Sequence, residues 1–102
     1  MQKLMINQDV YIITEAFKKM HPADAIASKY YEIVKCKVTS IPQGNFKEYK
    51  LLNGGDIYWK QRQSIYELYD QAVEAANRIA DKYDNTWSKF EPPIYRPWKE
   101  SR

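Results

Sequence analysis

The side chains able to do chemistry are few and scattered. The single cysteine, Cys36, lies in the run IVKCKVTSI (residues 33–41), and the single histidine, His21, precedes Pro22. A nucleophilic thiol needs partial exposure and a base within hydrogen-bond reach. Strand alternation puts Val34, Cys36 and Val38 on one face and Lys35, Lys37 and Thr39 on the other, so the thiol faces a core while the lysines face water. A Cys–His dyad would require two unrelated segments to meet. Metal sites draw on clustered His and Cys, and the only local pair is His21-x-x-Asp24, so neither a metal nor a cofactor is expected. Gly44, Gly54 and Gly55 are all the glycines present, and each is accounted for by a turn rather than a phosphate loop. Acid–base work would have to draw on Glu15, Glu32, Glu48 or Asp56, which no spacing brings into a pair. The chain reads as noncatalytic.

The elements that position these residues come next. The chain has 102 residues, 44% hydrophobic and 15% aromatic with nine tyrosines, enough for one small core built on large rings. One cysteine forms no internal disulfide, the start MQKLMINQDVY lacks the pattern of a signal peptide, and no stretch approaches a membrane span; a cytoplasmic protein with no membrane contact is expected. The net charge of +3 is unevenly spread: residues 1–63 carry +4, residues 64–86 carry −3 and residues 87–102 carry +2.

Short runs rich in Val, Ile, Tyr, Phe and Trp at 5–13, 31–41, 46–52 and 57–63, with a shorter one at 64–68, predict five antiparallel strands. Asn53-Gly54-Gly55-Asp56 predicts a hairpin, and Pro42-Gln43-Gly44-Asn45 a turn. Residues 18–28, broken by His21-Pro22, read as a loop with a turn of helix. From Asp70 the period changes: Ala72, Ala76, Ile79 and Tyr83 fall on one helical face, ending at Asp84-Asn85, with either Asp70 or Leu68 (Gln71 three residues on) opening the helix. Residues 86–102 form an extended arm holding Trp87, Phe90, Tyr95, Trp98 and three prolines. The fold class is α+β: a small five-stranded barrel or curled sheet with one helix packed on it (residues 1–85), followed by the arm.

VYII, IVKCKVTSI, FKEYKLL, a Gly turn, a further strand and IYELYDQAVEAANRIA, taken in that order, resemble the small SH3-like barrel proteins of bacteria and their phages, in which a last short strand leads into a helix opened by acidic residues and alanine. The resemblance spans residues 8–83 and implies the barrel; such proteins share no active site, so it implies no activity. Leu68 stands where the family has a capping hydroxyl.

Two surfaces remain for function. If Tyr49, Leu51, Ile57 and Trp59 point inward with Cys36, then Lys35, Lys37, Lys50, Tyr58, Lys60 and Arg62 form a basic outer face with one ring, a pattern that suits nucleic acid. The arm cannot bury its own rings and must lay them on its own barrel, on a second copy in an arm-exchanged homodimer, or on a foreign protein; Tyr95, Arg96 and Trp98 are the expected contacts. A noncatalytic protein-binding or accessory module is the leading expectation, and a small nucleic-acid-binding barrel the second.

Overall fold

The computed structural model describes residues 3–18, 28–83 and 94–98. Four of the five apolar runs are strands, and the two described turns set the order of the second, third and fourth. β1 (Asp9–Lys18) and β2 (Ser28–Ser40) pair antiparallel, β2 continues into β3 (Glu48–Asn53), and β3 into β4 (Asp56–Gln61), also antiparallel. Gly54, with φ 58, takes the left-handed conformation at the first turn position between β3 and β4, and Gly44, with φ 61, does so in the turn before β3. β2 is long enough to serve two neighbours: residues 28–37 pair with β1 and residues 37–40 with β3, with a bulge between Val38 and Ser40. A bulge bends its strand and sharpens the twist, so the sheet curls there.

The concave side holds the core. Val10, Ile12, Val34, Cys36, Val38, Tyr49 and Leu51 pack with Leu4 and Ile65, and Tyr58 lies against them half-buried. Leu4 reaches this core ahead of β1, because residues 5–8 make a turn instead of the expected first strand residues. Asn7 accepts φ 69 there, and its N–H donates to the Val38 carbonyl at 2.7 Å. Tyr31 and Ile33 are also buried, but alternation places them on the opposite face of β2 with Tyr11 and Ile13 of β1. The helix α1 (Tyr69–Tyr83) packs against β1 and β2, burying Ala72, Ala75 and Ala76. Small side chains let the helix lie close to the sheet. Its exposed Glu74–Arg78 pair, 3.8 Å apart, contributes only a few tenths of a kcal/mol. Tyr83, expected on the buried stripe, has its side chain outside what the structure describes, as do residues 19–27 of the expected loop.

The expected strand at 64–68 is not formed as such. A 3-10 turn (Arg62–Ser64) leads to one bridge, in which the Tyr11 and Tyr66 backbones exchange hydrogen bonds of 2.7 and 2.8 Å across the outer edge of β1. Ile65 is thereby set into the core, and Leu68 starts the helix too soon for a longer strand. Leu68, not Asp70, is the N-cap: its carbonyl accepts from Ala72 N–H at 3.3 Å, and its own N–H is met by the Gln71 side-chain oxygen at 3.3 Å. This is half of a capping box, lacking the hydroxyl. Leu68 is 61% exposed, so replacing it gives up little burial. Leu68→Ser is expected to stabilise the protein by about 1 kcal/mol in urea unfolding; an unchanged or lower midpoint would contradict this cap.

The fifth strand of the described sheet comes from the arm. β5 (Ile94–Arg96) runs parallel to β2, matching Glu32, Ile33 and Val34, and so occupies the stretch of β2 edge that β3 leaves unpaired. The expectation of an all-antiparallel sheet is corrected to this extent. No helix among the described residues is long and apolar enough to cross a membrane.

Candidate functional site: the outer face of the hairpin

The β3–β4 hairpin reverses one sequence expectation. The register sets Lys50 opposite Trp59 and Leu52 opposite Ile57 on the convex face, and Leu51 opposite Tyr58 and Tyr49 opposite Lys60 on the other. Ile57 and Trp59, expected inside, are 54% and 45% exposed, whereas Tyr58, expected outside, lies on the core. The physical reason is parity. A two-residue turn between Asn53 and Asp56 locks Tyr58 to the face of Leu51, and the larger Trp59 ring cannot override a register fixed by the turn.

The result is a compact apolar cluster in water. Phe46, 52% exposed, meets Trp59 edge to face with ring centroids 5.4 Å apart, and the Lys50 ammonium stands 5.9 Å from the Trp59 ring. Neighbouring Leu52 and Ile57 extend it toward the turn. A sequence signal for it existed: Phe46 and Trp59 fall on the parity of Lys50 once the turn is counted.

The expected basic face is broken up by the same register. Lys35, Lys37 and Lys50 lie on the convex face, but Asp9 sits between the first two, 4.0 Å from Lys35 and 3.7 Å from Lys37. Lys60 shares the face of Tyr58 and lines a shallow cleft of about 230 Å³ with Ile13, Glu15, Tyr31, Tyr66 and Ile79. Arg62 leaves the sheet: its guanidinium donates to the Ile65 carbonyl at 2.9 Å and approaches Glu67 at 3.6 Å.

The described part of the arm lies on its own chain. Tyr95 meets Tyr69 of α1 at 5.0 Å, and Tyr69 meets Tyr11 of β1 at 5.8 Å, so three rings tie β5, helix and β1 together. Trp98 stacks over the Lys37 ammonium at 5.5 Å. Between them Asn53, 1% exposed, donates through Nδ2 to the Lys35 carbonyl at 2.7 Å and the Pro97 carbonyl at 3.0 Å. This amide bridges the junction where β3 ends and β5 begins along β2. The Arg96 backbone pairs with Val34; its side chain is outside what the structure describes, as are His21 and Asp24.

Cys36 is fully buried, its Sγ 3.8 Å from the Val34 carbonyl oxygen. A native protein is therefore expected to react with a thiol reagent only at its rate of opening, many orders of magnitude below that of a free thiol; rapid stoichiometric labelling would overturn this. Among the described residues no group of three or more His, Cys, Asp and Glu converges as for a metal. Among the described residues Glu15 is the one carboxylate that lines the 230 Å³ cleft, alongside Lys60. No family model, curated protein or solved structure matches the chain.

Proposed function

We propose that the protein is a noncatalytic, cytoplasmic protein-binding module of the SH3-like barrel type, an accessory factor of bacterial or phage character that acts on a larger partner. Support for the barrel comes from the strand order, the 3-10 turn after β4 and the Tyr11–Tyr66 bridge that carries the chain back to β1. The observation that carries the binding reading is the exposed Phe46–Trp59 pair beside Ile57. Soluble domains bury such rings unless a partner covers them, and aromatic anchors with a nearby cation dominate binding hot spots. Tyr95, 42% exposed, and Trp98 add contact area beside the sheet, and Arg96 stands between them in the sequence.

Protein is favoured over nucleic acid because the cations do not line up. Phosphate neutralisation needs a continuous basic track, and Asp9 divides this one while Lys60 and Arg62 turn elsewhere. A photo-crosslinking residue in place of Phe46 tests the choice in the cells that make the protein. A discrete protein adduct, lost on Trp59→Glu, is expected. A nuclease-sensitive adduct would establish the nucleic-acid reading instead, and absence of any adduct would overturn the site.

A further inference from the structure

β4 is the end of the sheet: among the described residues its backbone pairs with β3 alone. The two-residue turn closes on a hydrogen-bonded Asn53–Asp56 pair, and the bonding type then alternates, so Tyr58 and Lys60 bond toward β3 while Ile57 and Trp59 present their N–H and C=O groups at the outer edge. The same two residues carry the exposed apolar side chains. An edge that is unpaired, apolar on one face and without proline is a template for another strand.

The sequence of that edge, DIYWK from Asp56 to Lys60, is self-complementary about Tyr58. Laid antiparallel on its own copy with Tyr58 facing Tyr58, it sets Ile57 against Trp59 and Asp56 against Lys60, each twice by symmetry. The Ile57–Trp59 pairs are those whose backbone groups point outward, so each exchanges both of its hydrogen bonds. On the convex face the two apolar rows merge into one strip flanked by the Phe46 rings. On the other face an acid meets a lysine at the close spacing of a non-hydrogen-bonded pair, where opposite charges attract and a one-step slip would lose the match.

We propose that the protein forms a two-fold homodimer by antiparallel pairing of β4 edges, continuing the sheet from one copy into the next. The proposal rests on reading the hairpin as a binding surface and names the partner of its edge: a second copy of this chain. An isologous interface of this kind closes on itself, because each copy's β4 edge is used by the other.

Sedimentation equilibrium of the full-length protein tests it, against the 12.2 kDa chain mass. Wild type is expected to be a dimer. Ile57→Lys, at an exposed position, should be a monomer with an unchanged circular dichroism spectrum. Asp56→Lys sets like charges together and should weaken association about tenfold or more, while Asp56→Lys with Lys60→Asp restores the pair in reversed order and should recover most of it. A dimer that survives Ile57→Lys, for instance one lost only on removing residues 86–102, overturns the proposal in favour of arm exchange. A wild type that stays monomeric at millimolar concentration overturns it too, while a Phe46 adduct with a different protein would still stand for the module.

Discussion

Asn53→Ala is expected to lower stability by about 2 to 4 kcal/mol and to release β5 from the sheet, because two part-buried carbonyls, those of Lys35 and Pro97, lose their donor at once. Each orphaned carbonyl costs about 1 to 3 kcal/mol unless water reaches it, and Pro97, at the exposed end of the arm, rehydrates more readily than Lys35 in mid-sheet. Part of the loss is offset: the Asn53 Oδ1 has no hydrogen-bond partner among the described residues, and removing the side chain removes that buried acceptor as well. Asn53→Asp separates the terms. It keeps size and loses the donor, and it turns a carboxylate toward two carbonyl oxygens in a site that is 1% exposed, so it should be worse than alanine. Urea unfolding gives the stability change, and hydrogen exchange at residues 94–96 reads the arm directly. Equal protection of those amides in wild type and Asn53→Ala would show that the amide is not the joint.

Asn53 also marks where sequence reasoning reached and where it stopped. Its place in Asn-Gly-Gly-Asp identified the hairpin, because that composition serves positive φ, and the turn is there. Yet the residue with positive φ is Gly54, while Asn53 is the last strand residue, buried for its side-chain donor. A local pattern carries the turn and says nothing of a carbonyl on Pro97, which is forty-four residues away. β2 and the helix were legible because each has one strong period: alternation around Cys36, and alanines at helical spacing. The apolar composition at 64–68 serves one core side chain and one bridge, not a strand. For residues 86–102 the sequence leaves three surfaces open: the chain's own barrel, a second copy and a foreign protein. That residues 94–96 pair in parallel with the half of β2 that β3 leaves open depends on how far β3 extends, which only the fold decides. Of the expected basic face, Lys35, Lys37 and Lys50 share the outer side, while Tyr58 and Lys60 do not, because placing Ile57 and Trp59 inward is opposite in parity to the register that the two-residue turn sets.

That inversion supplies a stringent test, because two neighbouring hydrophobic positions should respond in opposite ways. Leu51→Ala is expected to cost about 3 to 4 kcal/mol: the side chain is fully buried in the main core, between Val38 on β2 and Tyr58 on β4, and its removal leaves a cavity that paired strands on both sides cannot collapse to fill. Trp59→Ala removes a larger side chain but should cost only about 1 kcal/mol, the worth of one edge-to-face ring contact and one lysine over a ring at a half-exposed site. If Trp59 were the core anchor its size suggests, the order would reverse, since deleting a buried indole costs about 3 to 5 kcal/mol. Chemical denaturation of the two variants in parallel decides between the registers, provided it is done with dimerisation held fixed. Association adds apparent stability that depends on concentration, and Trp59 lies on the proposed edge, so both unfolding curves belong in the Ile57→Lys background. There the difference between the two substitutions reports packing alone. A Trp59→Ala loss equal to or greater than that of Leu51→Ala would mean that the convex face of the hairpin is in fact its buried one, and the binding site and the edge-paired dimer would fall with it.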